Sequence, residues 1–126
     1  MAFRRLLSLF AAFALVATTL TTTSPTQAAP ATTGFRAVDI TGDNGVVLKA
    51  NVIAPAANGR HPAVILPSSW GLNDLEYLAQ AKTLAGRGYV VVSYTPRGWW
   101  LSGGEIDTAG PKDMADLSRV VDWTST

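Results

Sequence analysis

Apolar and polar residues alternate between Phe35 and Ala54, then give way to two short, solidly apolar runs at Pro62–Pro67 and Tyr89–Tyr94. In the first segment Phe35, Ala37 (or Val38) and Ile40 stand among Arg36 and Asp39, which predicts a strand over 35–41. Gly42-Asp43-Asn44-Gly45 follows, with residue types that tolerate positive φ in tight turns. From Val46 to Ala54 one face is wholly apolar (Val46, Leu48, Ala50, Val52), while Lys49 and Asn51 lie on the other. This is the pattern of a strand lying on a core, so 35–54 reads as a β-hairpin. The two later runs show no alternation and are rich in Val, the pattern of strands buried on both faces in a parallel sheet.

Helical spacing occupies the gaps. Tyr77, Leu78, Ala81, Leu84 and Ala85 form one apolar stripe, which predicts a helix from about Leu75 to Ala85. Asn73 is its expected cap, and Glu76 stands three residues on, in capping-box position. Gly86 and Gly88 are expected to end it. A second helix is expected to open at Pro111, with Asp113 and Asp116 complementing its dipole. Met114, Leu117, Val120, Val121 and Trp123 form its expected buried face. The order β-β-β-α-β-α predicts an α/β fold: a mixed sheet that grows parallel and is covered by helices. The strand–helix–strand segment has ample length for a parallel crossover.

The N-terminus alters the domain count. Arg4-Arg5 precedes twelve residues, Leu6–Ala17, broken only by Ser8, and small residues follow at Ala28-Ala29. A basic start, a short apolar stretch and a small-residue cut site describe a secretory signal peptide. The apolar run is shorter than the about 20 residues a spanning helix needs. The expected division is a signal peptide at 1–28 (cleaved after Ala28, or else Ala31), a flexible leader at 29–34 and a folded portion at 35–126. Arg4-Arg5 also fits a twin-arginine route. The expected location is therefore outside the cell, with no membrane span left after cleavage.

Composition narrows the chemistry. The chain has 126 residues, no cysteine, and ten Lys/Arg against nine Asp/Glu, a formal charge of +1. Loss of the signal would remove two of those cations and no acid, leaving a charge of −1. Neither a disulfide scaffold nor a thiolate metal site is possible, and no basic footprint for nucleic acid exists. The single histidine, His61, precedes the first solid apolar run, at the end of a parallel strand opposite to where ligands bind. It reads as a loop residue. There is no G-x-S-x-G elbow, no phosphate loop, no dinucleotide fingerprint and no H-E-x-x-H, and no cofactor or metal is expected.

Two loops leave the C-terminal ends of the predicted parallel strands. The first, Ser68-Ser69-Trp70-Gly71, offers four backbone N–H groups as oxyanion-hole candidates, whereas Pro67 has none to give. The second, Thr95–Gly110, carries Arg97, Gly98, Trp99-Trp100, Ser102 and Gly103.

The stretch from His61-Pro62-Ala63-Val64 through Gly86-Arg87-Gly88-Tyr89-Val90-Val91-Val92-Ser93-Tyr94 to Arg97-Gly98 and Ser102-Gly103-Gly104-Glu105 carries a resemblance. With Asp113-x-x-Asp116 and Val121-Asp122-Trp123, it is similar to the N-terminal part of secreted α/β-hydrolases. The group it resembles is the X-Pro dipeptidyl-peptidase and cocaine-esterase-like serine hydrolases. The resemblance implies that the chain is the N-terminal portion of such an enzyme, with an incomplete sheet. The nucleophile, acid and histidine would then lie beyond Thr126, and the chain alone would be inactive. It also implies an acyl or peptide substrate for the whole protein. Many relatives carry Asp two positions before the Arg-Gly pair; Thr95 stands there in this chain. Arg97 is therefore expected to pair with Asp113 or Asp116 and, like Gly98, Ser102 and Gly103, to be structural. The competing reading is a small secreted, non-catalytic binding or structural module. In it, the sheet edge and Trp99-Trp100 would form a partner surface.

Overall fold

The computed structural model describes residues 33–126, so the signal-peptide reading and most of the leader lie outside the described residues. Four strands form one sheet: β1 (Thr33–Thr41), β2 (Val47–Pro55), β3 (Ala63–Pro67) and β4 (Val90–Tyr94). Helix α1 (Leu78–Ala85) joins β3 to β4, and α2 (Pro111–Thr124) follows β4. The spatial order is β1-β2-β4-β3. β1 and β2 are the expected antiparallel hairpin, in register from Thr33↔Pro55 to Thr41↔Val47. β2 is antiparallel to β4, and β3 is parallel to β4 from Ala63↔Val90 to Pro67↔Tyr94. This is the expected mixed α/β sheet. β1 begins at Thr33, so the last two residues of the predicted leader are paired, with Pro55 and Ala54.

The alternation in β2 and β4 feeds two cores. Leu48, Ala50, Val52, Val92 and Tyr94 pack with Ile40 and with Val120 of α2. Ile53 and Val91 point the other way and pack with Ala81 and Ala85 of α1. The two helices therefore cover opposite faces. β3 lies at the sheet edge, so Val64, Ile65 and Leu66 are half-buried and not enclosed on both faces. Only β4 shows the full burial expected of both apolar runs, because it sits between β2 and β3.

The hairpin turn uses Asn44 (φ 55°) and Gly45 (φ 75°) as its residue types predict. Gly42 is required for a different reason: a Cβ there would lie 2.5 Å from Asp116 Oδ1.

Three local expectations change. α1 starts at Leu78, after a run of turns, because Asp74 and Glu76 have partners outside the helix. Asn73 Oδ1 accepts only the Leu75 N–H, and no capping box forms. At the other end, Gly86 is right-handed (φ −62°), and Gly88 (φ 95°) makes the left-handed step, letting Tyr89 N–H reach Leu84 O. In α2, Asp116 and Val120 are buried while Met114 and Val121 are about half exposed. Leu117, Val120 and Trp123 of the expected face do pack on the core, and Asp116 is turned inward with them to meet Arg97.

Candidate functional site

The carboxyl ends of β3 and β4 open into the two loops singled out above, and the N-terminus of α2 closes the same corner. A buried ion pair fixes this corner. Arg97 Nε and Nη2 donate to Asp116 Oδ2 and Oδ1, each at 2.7 Å, with both side chains at most 5% exposed. Asp116 Oδ1 also accepts the Asp43 N–H at 2.7 Å, which ties the hairpin turn to α2. The fork-on-carboxylate geometry makes strong, charge-assisted bonds, and the pairing raises the Arg97 pKa against the opposing effect of burial. Arg97 stays charged, and its Nε and Nη2 are engaged within the fold.

The rest of the long loop continues the sheet beyond β4. Thr95 N–H donates to Lys49 O, Gly103 N–H to Val47 O, and Gly98 N–H to Gly103 O. Ser102 Oγ donates to Thr95 O and accepts the Lys49 N–H. A Cβ at Gly98 would strike the Ile106 backbone. These bonds shape the loop.

Thr95 holds the other loop in place. Its Oγ1 accepts the Asp74 N–H and donates to Asp74 Oδ1. Asn51 Nδ2, fully buried on β2, donates to Asp74 O and Oδ2. Segment 68–77 is thereby pinned over the sheet end. Within it, Ser68 N–H donates to Tyr94 O and Ser68 Oγ to Leu72 O. Ser69 gives both its N–H (2.7 Å) and its Oγ–H (2.9 Å) to the Glu76 carboxylate. The Ser69 amide bond holds the Glu76 carboxyl below the usual range. Of the four amides considered from sequence, those of Ser68 and Ser69 are therefore taken. Those of Trp70 and Gly71 have no partner among the described residues. Gly71 is left-handed (φ 82°), and its carbonyl accepts Trp100 Nε1–H at 3.0 Å. Trp100 itself sits at φ 49°, a strained setting for a bulky residue, and binds the two loops together.

Beneath Trp70 lies a cavity of about 180 Å3 lined by Pro67, Ser68, Tyr94, Pro96, Asp113, Met114 and Leu117. Tyr94 is 3% exposed. Burial, with the nearby Asp113 and Asp116 charges, pushes its phenol up to about 12. Sequence reasoning missed Tyr94 as a site residue. The available signal was a hydroxyl ending an otherwise apolar strand at its carboxyl end. His61 lies far from this corner in the topology, at the start of β3. Its ring nitrogens face Gly88 O (3.1 Å) and Ala57 O (2.9 Å). Among the described residues no group of three or more His, Cys, Asp or Glu is placed to hold a metal ion. No described helix is long and apolar enough to cross a membrane.

Comparison with known proteins fits this framework. A Pseudomonas aeruginosa protein, PA2218, superposes with a TM-score of 0.63 at 26% identity, over 74% of this chain and 30% of its own. The Pyrococcus furiosus esterase Pf2001 gives 0.60 at 27% identity, over 73% and 36%. An α-amino acid ester hydrolase gives 0.59 at 20% identity, over 82% and 20%, and shares the fold. This chain thus spans between 20% and 36% of the length of these three structures. No curated protein matches it. The sequence pattern of the X-Pro dipeptidyl-peptidase (S15) family matches residues 44–126, which takes in β2, β3, β4, both loops and both helices but not β1. The chain belongs to that family of hydrolases.

Proposed function

We propose that this chain is the N-terminal portion of an exported serine hydrolase that cleaves acyl bonds, in peptides or esters, and that it supplies the oxyanion side of the site. The observation that carries this reading is the pair of consecutive unpartnered amides, Trp70 and Gly71, on a pinned loop at the carboxyl end of β3. N–H groups fixed in advance stabilise the charge that develops on a carbonyl oxygen as it is attacked, and they need no reorganisation to do so. Ser69, whose hydroxyl is bonded to Glu76, has no histidine beside it, and an unassisted serine hydroxyl is a weak nucleophile. His61 is at the other end of β3 and is engaged by two carbonyls. The nucleophile and its base are therefore assigned to a part of the protein outside residues 33–126. The basic start, apolar stretch and small residues of 1–28 support export.

The test is turnover by the 126-residue chain on a p-nitrophenyl ester and on an X-Pro p-nitroanilide. The expected result is the buffer rate with both. Turnover that disappears in His61→Ala would contradict the proposal, because it would place a working base at His61.

A further inference from the structure

The cavity under Trp70 contains two polar groups that the fold itself leaves unused. Asp113 Oδ2 accepts the Ala109 N–H at 2.7 Å, but Asp113 Oδ1 is buried with no partner. Tyr94 lines the same cavity, is almost wholly buried, and its hydroxyl has no hydrogen-bond partner among the described residues. A buried carboxylate oxygen left unpaired is costly, and such groups are normally satisfied by a partner of opposite charge or by a bound molecule.

The sign of that partner follows from the surroundings. The start of α2 would attract an anion, but Asp107 Oδ2 already accepts the Lys112 N–H (2.7 Å) and the Asp113 N–H (3.3 Å). Arg97 is committed to Asp116, and Lys112 faces Glu105 at 3.7 Å. None of the ion pairs among the described residues involves Asp113. The free valence is therefore negative, flanked by a phenol oxygen that can accept, within walls supplied by Pro67, Met114 and Leu117. Trp70, at the rim, adds an aromatic surface suited to a cation.

We infer that this cavity binds a primary ammonium group carried on a short, unbranched apolar chain. The ammonium donates to Asp113 Oδ1 and Tyr94 Oη, and the alkyl chain lies between Met114, Leu117 and Pro67. At about 180 Å3 the cavity admits only a small molecule, so the affinity is weak, on the order of millimolar. This assignment is independent of the hydrolase reading, since it requires no nucleophile and no turnover.

The experiment is a titration of the ¹⁵N-labelled 126-residue chain with n-butylammonium chloride at constant ionic strength, followed through amide shifts. The expected result is saturable shifts at residues around Tyr94 and Asp113. Affinity should fall about tenfold or more in Asp113→Asn and more modestly in Tyr94→Phe. n-Butanol and n-butyrate should give no saturation. Absence of saturation with n-butylammonium, equal affinity in Asp113→Asn, or equal binding of butyrate or butanol would overturn the assignment. Should Asp113→Asn not fold, Tyr94→Phe decides: weakened binding supports the site and unchanged binding overturns it.

Discussion

Asp116 is the residue on which most of this corner depends. It balances the buried Arg97 guanidinium, holds the hairpin turn through Asp43 N–H, and lies so close to Gly42 that no side chain fits there. Asp116→Ala leaves an unpaired cation under α2, and we expect a loss of about 3–5 kcal/mol in urea unfolding. Arg97→Met combined with Asp116→Leu should cost less, because no charge is then stranded. Tyr94 gives a pH signature. Its folded pKa of about 12 lies above the unfolded value of 10.0, so the folded state keeps a proton that the unfolded state releases. Its contribution is fully present below pH 10 and is lost as pH rises towards 12. In absorbance titration the Tyr94 phenol should ionise near pH 12, above its ordinary 10.0, and Tyr94→Phe should flatten the alkaline fall in stability. At this scale the sequence was only partly legible. That Arg97 pairs with Asp113 or Asp116 is what the family resemblance implies, and the sequence leaves the choice open because both acids stand one helical turn apart. Which one faces the sheet depends on the rotation of α2, and that is set by packing.

The elements were more legible than their ends. β1, β2 and β4 follow from alternation and from β-branched runs, and α2 opens at Pro111 as its first-turn chemistry requires. α1 shows why boundaries fail. Asn73 and Glu76 have the spacing of a capping box, yet tertiary partners outcompete the local motif: Asn51 and Thr95 take Asp74, and Ser69 takes Glu76. Those partners lie seven or more residues away in sequence, so no local pattern contains them. The loop 68–77 is consequently held by side chains and not by helix. Glu76→Gln should speed exchange of the Ser69 amide, read by hydrogen exchange, while α1 amides are little affected. In the parent chain the Glu76 carboxyl, held below its ordinary value of 4.5, should keep this contact intact as pH falls through the usual carboxylate range. The contact should be lost only when pH drops through that lower folded value.

At the scale of the whole molecule the sheet order β1-β2-β4-β3 leaves β3 as a flank. A second cavity of about 590 Å3 runs along Ala63 and Ile65 beside Val121. Val121 and Met114, seven residues apart on α2, are exposed as well, and no strand pairs with the free side of β3 among the described residues. The fold class, the hairpin and the parallel β3–β4 pair were legible, whereas the sheet order was not: the solid apolar run of β3 reads as enclosed on both faces, and the strand lies at the flank. The amides of Trp70 and Gly71 were named with two others, and the sequence has no means of separating them. Their availability is decided by which N–H groups meet Tyr94 O and Glu76. The account rests on those two amides facing a reacting carbonyl once the catalytic residues are supplied. The direct measurement is kcat of the proposed full-length hydrolase carrying Trp70→Pro, which deletes one backbone N–H, against Trp70→Phe, which keeps it. The account predicts a fall of about 10²–10³-fold in Trp70→Pro with kcat nearly intact in Trp70→Phe. Equal rates in the two variants would contradict it.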